Sequence, residues 1–135
     1  MDYPNYYRYI AVFAYYDDGI SVTFPDLPGC VSFGQDEEEA MKCAKEVLML
    51  HMWGMEQDGD PVPAPSGLRD IELGSGEMPV MIEVFMPPFR EKQGNRFVKK
   101  TLSIPYWLNL EAENRGVNFS KVLQRALMEQ LGVSR

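Results

Sequence analysis

The sequence is short of histidine and cysteine, and each shortage excludes a kind of site. Among 135 residues there is a single histidine, His51, so neither a His-based catalytic triad nor a His-rich metal site can be built. The two cysteines, Cys30 and Cys43, form no C-x-x-C pair, so we expect buried, reduced thiols rather than a disulfide or a metal site.

Long apolar runs are also missing. None approaches the ~20 residues that a membrane-spanning helix requires, and the first residues lack the basic-then-apolar pattern of a secretory signal. We therefore expect a cytoplasmic protein with no membrane partner. There is no glycine-rich phosphate loop, and the acidic residues fall in turns or at a helix start, so we expect no enzyme activity, no metal and no cofactor.

Positive charge is scarce in the first two thirds of the chain. Residues 1–90 hold five Lys or Arg against sixteen Asp or Glu, a net charge of −11, whereas residues 91–135 hold eight against four, a net charge of +4. An acidic body attracts a basic protein and repels phosphate, while a basic tail does the reverse. The charge distribution thus predicts two kinds of partner for one chain.

The first part of the chain has the pattern of a sheet with one helix packed on it. A helix is predicted from Asp36, a good N-cap with Glu39 at the capping-box position, to about Met55. Alternating or apolar segments predict strands at residues 6–16, 20–24, 30–33 and 80–85. The fold class is therefore α+β. Residues 1–88 are expected to form a β-β-β-α-β domain that ends at Pro87 and Pro88, followed by a hinge at residues 89–95.

The last forty residues begin with a polar strand. Its apolar residues Leu102 and Ile104 alternate with polar ones, so the two sets face opposite sides of the strand. The polar set consists of Lys99, Thr101 and Ser103. Only Lys, Thr and Ser therefore occupy the outward face, which is unusual for a strand packed within a domain.

Two short amphipathic helices follow this strand. Pro105 suits the first position of one helix, Gly116 ends it, and Asn118 caps the next, whose free amides at Phe119 and Ser120 form an anion site. A lone strand and two helices cannot close a core, but two copies can, and their paired strands form a ribbon that fits the DNA major groove. The alternative is an αα-hairpin packed on the first domain.

This tail resembles the ribbon-helix-helix superfamily of dimeric repressors. The resemblance lies in the strand alternation, the I-P at the helix start, the G-V-N-F-S turn and the A-L ending of the second stripe. It implies that residues 96–135 dimerise and bind DNA. Base edges would be read by Lys99, Thr101 and Ser103. A phosphate would be bound by Asn118, Phe119 and Ser120. The dimer core would consist of Leu102, Ile104, Leu108, Val122, Leu123, Ala126 and Leu127.

A second motif lies at residues 24–30, which read F-P-D-L-P-G-C. By itself it predicts a rigid turn, because prolines fix φ, Gly29 is permissive and Asp26 can cap local amides. With Gly34, the later E-A pair and the P-V-P-A-P-S loop, the string resembles the HicB antitoxin family. The resemblance covers residues 6–66 and, with the tail, 96–132. It implies a degenerate RNase H-like first domain that masks a small, basic HicA-type RNase.

The resemblance does not say which residues contact the toxin. The candidates are the turn residues Pro25, Asp26 and Leu27 and the helix-start residues Glu37 and Glu38, each of which could equally belong to a rigid turn or a solvated face. The sequence thus predicts an antitoxin that inhibits an mRNA-cleaving HicA-type toxin. As a homodimer or tetramer it would also bind operator DNA and repress its own operon. The alternatives are a ligand-sensing ribbon-helix-helix regulator and a weak metal-dependent nuclease.

Overall fold

The computed structural model describes residues 2–134, which divide into two compact units, unit 1 ending at Arg96 and unit 2 beginning at Phe97. Unit 1 contains four strands and two helices. In chain order these are β1 (Tyr6–Tyr16), β2 (Gly19–Thr23), β3 (Val31–Gly34), α1 (Glu37–Asp58), β4 (Glu77–Phe85) and α2 (Pro87–Gly94), with a 3-10 turn at Leu68–Asp70 between α1 and β4.

The strands form one antiparallel sheet in the order β3-β2-β1-β4. The β1–β2 hairpin pairs Tyr16 with Gly19, which confirms the turn predicted at Asp17-Asp18-Gly19. Alternate side chains of β1 face α1, and that helix buries one stripe at four-residue spacing. The β1 side chains are Tyr7, Tyr9, Ala11 and Phe13, and the helix stripe is Ala40, Ala44, Leu48 and Met52. This layer contact forms the core of unit 1.

Three boundaries in unit 1 differ from the sequence expectations. Helix α1 ends at Asp58, three residues later than predicted, where Gly59 takes the left-handed conformation. Strand β4 begins at Glu77 rather than residue 80, because an edge strand tolerates Pro79, which has no N–H to donate. Most of the predicted hinge lies in a helix that was not expected, α2 (Pro87–Gly94), since prolines in a first helical turn remove only donors that would be unpaired there.

Gly34 has a steric requirement that gives a test of the core. A Cβ at Gly34 would lie 2.3 Å from the backbone nitrogen of Ala40, so helix α1 packs directly on this strand end. We expect Gly34→Ala to lower the free energy of unfolding by about 1–3 kcal/mol through overpacking. Gly54→Ala is the matched control, because a Cβ there meets nothing within 4 Å and alanine favours a helix by about 1 kcal/mol. Equal effects of the two substitutions in urea unfolding would contradict this packing.

Unit 2 contains α3 (Tyr106–Asn114) and α4 (Phe119–Leu131). Pro105 is the N-cap of α3 rather than its first helical residue, because its ψ of 142° is extended. The other two local predictions are confirmed: Gly116 is left-handed with φ 67°, and the Asn118 side chain accepts a hydrogen bond from the Lys121 N–H. Residues 97–105 have no hydrogen-bonded strand neighbour within the described chain. The pairing of this segment with a second copy stays a prediction.

Candidate functional site

The turn between β2 and β3 is closed by its own backbone. The Leu27 N–H donates to the Phe24 carbonyl at 3.0 Å, and the Cys30 N–H donates to the Leu27 carbonyl at 3.0 Å. Leu27 is 1% exposed and belongs to the core, so its side chain is not available to a partner, contrary to its place in the predicted toxin-binding set. Pro25 is exposed and Asp26 half-buried. The rigid turn expected from the prolines is therefore present.

Asp26 ties this turn to the proline-rich loop that follows α1. Its two carboxylate oxygens accept hydrogen bonds from the Ser66 backbone N–H at 2.7 Å and the Ser66 hydroxyl at 2.6 Å. Nearby, the Tyr9 hydroxyl donates to the Pro63 carbonyl. Burial, and then the charge of Asp26, raise the pKa of Tyr9, so its hydroxyl stays a donor. Two segments that carry the family resemblance thus meet in space.

A groove of about 650 Å³ opens between this turn, the loop and the second half of α1. Its apolar lining includes Pro28, Met55 and Leu50, which is 55% exposed. Its polar lining consists of His51, Asp26, Asp58 and Asp60. The groove therefore combines an apolar surface with three carboxylates, and the only histidine faces it.

The other predicted toxin contacts, Glu37 and Glu38, are exposed at the opposite end of α1. The Asp36 side chain accepts a hydrogen bond from the Glu39 N–H at 2.8 Å, as predicted, whereas the Glu39 carboxylate reaches the N–H of Gln35 rather than that of the N-cap residue. At 1.5 Å per residue, the stretch of α1 from Glu37 to Leu50, the first helix residue that lines the groove, is roughly 20 Å long. The two candidate sets are therefore distinct surfaces.

A buried ion pair holds α2 against α1, and the sequence reasoning missed it. The Arg90 guanidinium donates to both carboxylate oxygens of Glu56, at 3.0 and 2.7 Å, and the Tyr7 hydroxyl donates to the same carboxylate at 2.7 Å. The Glu56 side chain is only 1% exposed. Hydrogen bonding to Glu56 raises the pKa of Arg90, and burial, followed by the Glu56 hydrogen bond, raises that of Tyr7. Arg90 and Tyr7 therefore both stay protonated at neutral pH.

Removing Arg90 would leave the buried Glu56 charge without its partner. We expect Arg90→Met to lower the free energy of unfolding by about 3 kcal/mol. The control is Arg8→Met in the surface pair Arg8–Glu83, whose side chains are 61% and 44% exposed, where about 0–1 kcal/mol is expected. If both variants lost a similar free energy of unfolding in urea at pH 7, the buried Glu56–Arg90 pair would stabilise the fold no more than the surface pair does.

The predicted DNA-reading residues Lys99, Thr101 and Ser103 are all exposed in unit 2. So are most of the predicted dimer-core residues: Leu102, Ile104, Leu108, Val122, Ala126 and Leu127. Leu123 is half-buried, and within residues 97–134 no residue is fully buried. An apolar groove of about 480 Å³ runs between residues 100–104 and α4, with Leu102, Ile104, Val122 and Leu123 among its lining. This unit has no closed core of its own.

The start of α4 has unpaired donors. The Asn118 carboxamide oxygen accepts the Lys121 N–H at 3.1 Å, and the Asn118 carbonyl accepts the Val122 N–H at 3.1 Å. The N–H groups of Phe119 and Ser120 belong to the first turn, where a helix offers no internal acceptor. The structure therefore brings the three predicted phosphate-binding residues together at one helix end.

Neither cysteine forms a disulfide, and the two differ in burial. Cys30 is buried with a free thiol, and burial raises its pKa to about 11, whereas the free thiol of Cys43 is only half-buried. Among residues 2–134, no three His, Cys, Asp or Glu side chains are grouped so that they could hold a metal ion. Over the same range no helix is both long and apolar enough to cross a membrane.

The comparison with protein families decides the assignment. A model of the HicB-like antitoxins of bacterial toxin–antitoxin systems matches residues 9–120, which is most of the chain. The chain belongs to this family. In this HicB-like antitoxin, the matched range includes the β2–β3 turn, the groove, the Glu56–Arg90 pair and the first two residues of α4.

Solved structures show the same fold. The antitoxin is similar to a chain of the toxin–antitoxin complex from Streptococcus pneumoniae, with a TM-score of 0.61, 22% identity, and coverage of 93% of this chain and 99% of that chain. It is also similar to the antitoxin HicB of Burkholderia pseudomallei, with a TM-score of 0.53, 21% identity, and coverage of 93% and 98%. At these identities the likeness concerns the fold alone.

A shorter match is found in a phage protein. An uncharacterised 14.9 kDa protein from the rep–hol intergenic region of Haemophilus phage HP1 is 45% identical to the antitoxin over 47 residues. The chain spans about a third of the length of this curated relative, since the matched residues make up 35% of either protein.

Proposed function

We propose that this HicB-like antitoxin inhibits a HicA-type mRNA-cleaving toxin through unit 1 and represses its own operon by binding operator DNA through unit 2. The opposite charges of the two units carry the proposal. Residues 1–96 hold seven Lys or Arg against seventeen Asp or Glu, a net charge of −10, whereas residues 97–135 hold six against three, a net charge of +3. The negative charge of unit 1 favours binding to a basic protein, and the positive charge of unit 2 favours binding to nucleic acid.

Unit 2 acts as a ribbon-helix-helix dimer in this proposal. The exposed apolar groove between residues 100–104 and α4 needs a cover, and a unit of about forty residues cannot bury enough apolar surface alone. The occupant is a second copy of the chain. Its Leu102 and Ile104 would pack into the groove, and the two segments around Thr101 would pair as an antiparallel ribbon. Association of the dimers into tetramers is part of the proposal.

The ribbon places Lys99, Thr101 and Ser103 in the major groove of the operator. Their exposure in the free unit, on the side opposite Leu102 and Ile104 in an extended strand, supports this role. Asn118, Phe119 and Ser120 position the dimer by binding a backbone phosphate at the start of α4. The phosphate contacts fix orientation, and the ribbon supplies the sequence preference.

Unit 1 is a degenerate RNase H-like domain that works by contact rather than by catalysis. Its acidic surface attracts the basic toxin and competes with RNA for the toxin surface. The carboxylates at the start of α1 cap a helix, Asp26 holds a loop, and Glu56 is neutralised by Arg90. No metal or cofactor takes part, and both partners meet in the cytoplasm.

Co-expression tests the proposal. We expect the small basic protein encoded beside this gene to arrest growth when it is produced alone. Co-expression of the antitoxin should restore growth, and the two proteins should then co-purify. Growth restored without co-purification would contradict inhibition by direct contact. An adjacent gene product that is harmless and unbound, together with operator binding by the purified chain, would instead identify a regulator that responds to another ligand.

A further inference from the structure

The two ends of α1 both carry acidic side chains, but only at the N-terminal end does the helix dipole favour negative charge. At the N-terminal end, Glu37, Glu38 and Glu39 face the positive end of the helix dipole, which is a favourable arrangement. At the C-terminal end the dipole is negative, yet the last turn has no Lys or Arg. Asp58 and Asp60 lie there instead. The backbone N–H groups of Gly59 and Asp60 cap this end, but a cation beside Asp58 and Asp60 would stabilise it further.

The carboxylates at the C-terminal end are not neutralised within the described chain. Neither Asp58 nor Asp60 forms an ion pair among residues 2–134, whereas the nearby Glu56 is paired with Arg90. Together with Asp26 they line the groove, but no three acidic or histidine side chains in the described range are close enough to share one metal ion. Charges spread along a groove suit an extended, positively charged partner better than a single ion.

A glycine points to the same surface independently of charge. Gly54 lies within α1, just before its last turn, where glycine destabilises a helix by about 1 kcal/mol relative to alanine. Neither the backbone nor the packing requires it, because its φ is not positive and a Cβ would meet nothing within 4 Å. Gly54 lines the groove. A missing side chain at an open position allows the close approach of another molecule.

We propose that the groove between the β2–β3 turn and the C-terminal end of α1 receives a Lys or Arg side chain of the toxin. The inference rests on the proposed function and assigns the contact to this groove rather than to Glu37 and Glu38. The aliphatic stem packs on Leu50 and Pro28, and the cationic head lies between Asp58 and Asp60 at the negative end of α1. The toxin backbone passes over Gly54.

Two variants with a matched control test the groove. The probe is the toxin encoded beside this gene, inactivated at its catalytic residue, and its affinity for full-length antitoxin is measured by calorimetry. We expect Asp58→Asn with Asp60→Asn to weaken binding at least about tenfold, since charged contacts at an interface carry large coupling energies. Glu37→Gln with Glu38→Gln removes the same charge at the other end of α1, and we expect a change below about twofold.

Gly54→Leu separates binding from folding. Leucine is a better helix former than glycine, and its Cβ would meet nothing within 4 Å, so we expect a higher midpoint of urea unfolding for the free antitoxin. We also expect at least about a tenfold loss of toxin affinity, because the new side chain occupies the path of the partner. A variant that is more stable and binds less well cannot be explained by misfolding.

The outcomes distinguish this inference from the proposed function. If wild-type antitoxin does not bind the neighbouring toxin at all, the proposed function fails and the groove assignment fails with it. If the wild type binds, but affinity is lost in the Glu37/Glu38 variant and kept in both groove variants, only the groove assignment is overturned. Unchanged affinity in every variant overturns it as well.

Discussion

Replacing Lys99, Thr101 and Ser103 together by alanine is expected to reduce operator affinity by at least about 100-fold while leaving toxin binding unchanged. Each specific contact to a base edge contributes about 1–3 kcal/mol of discrimination, and a dimer presents every residue twice. Loss of Lys99 also removes two positive charges per dimer, so the remaining affinity should depend less steeply on salt. The measurement is a gel-shift titration with DNA from the promoter of its own operon.

Lys45→Ala is the charge-matched control for that experiment. Lys45 is exposed on α1 of unit 1, so its removal changes the net charge of the chain without touching the ribbon. We expect its effect on operator affinity to be below about twofold. If the triple variant lost both operator and toxin binding, the two surfaces would not be separable, and the assignment of DNA reading to residues 99–103 would be wrong.

Leu102→Asp is expected to convert the antitoxin into a monomer that binds neither a second copy nor the operator. In the proposed dimer this side chain is covered by the partner copy, and burying an unpaired carboxylate costs several kcal/mol. Within a single chain Leu102 is 58% exposed, so a monomeric protein would tolerate the change. Sedimentation velocity gives the oligomeric state, and circular dichroism reports the helices of unit 2.

Leu110→Asp is a close control for Leu102→Asp. Leu110 is 46% exposed on α3 and does not line the apolar groove of unit 2. The same chemical change there should leave the dimer intact. If both variants lost the dimer, the contact surface would be wider than the groove. If both variants kept the dimer, the groove would not be part of the interface.

The elements that local signals determine were predictable from the sequence. The β1–β2 hairpin follows from Asp-Asp-Gly between two alternating segments, and the caps of α1 and α4 follow from Asp36 and Asn118. These structures depend on residues within a few positions of one another, so a single sequence contains the required information. The acidic character of unit 1 also follows directly from the sequence, because its net charge depends only on which residues it contains.

Contacts between distant residues were not predictable in this way. Glu56 and Arg90 are 34 positions apart, and nothing local to Glu56 sets it apart from the solvated acids around it. Asp26 and Ser66 are 40 positions apart, and only the fold shows that the turn and the loop meet. Leu27 was predicted to contact the toxin because residues in a turn are usually at the surface. In the structure the turn places its side chain in the core.

Helix α2 was missed for a different reason. Two successive prolines end a helix or a strand when they occur inside it, but they also fit the first turn of a helix that begins there. The sequence reasoning weighed only the first possibility. Residues 99–104 form no strand ladder within the described chain, and their pairing with a second copy stays a prediction.

The mass of the purified full-length antitoxin in solution, measured by light scattering at micromolar concentration, shows whether unit 2 dimerises. We expect twice the mass of one chain, or four times that mass if the dimers associate, because in the proposed dimer unit 2 closes its core with a second copy. A stable species with the mass of a single chain and well-formed helices in unit 2 would contradict it.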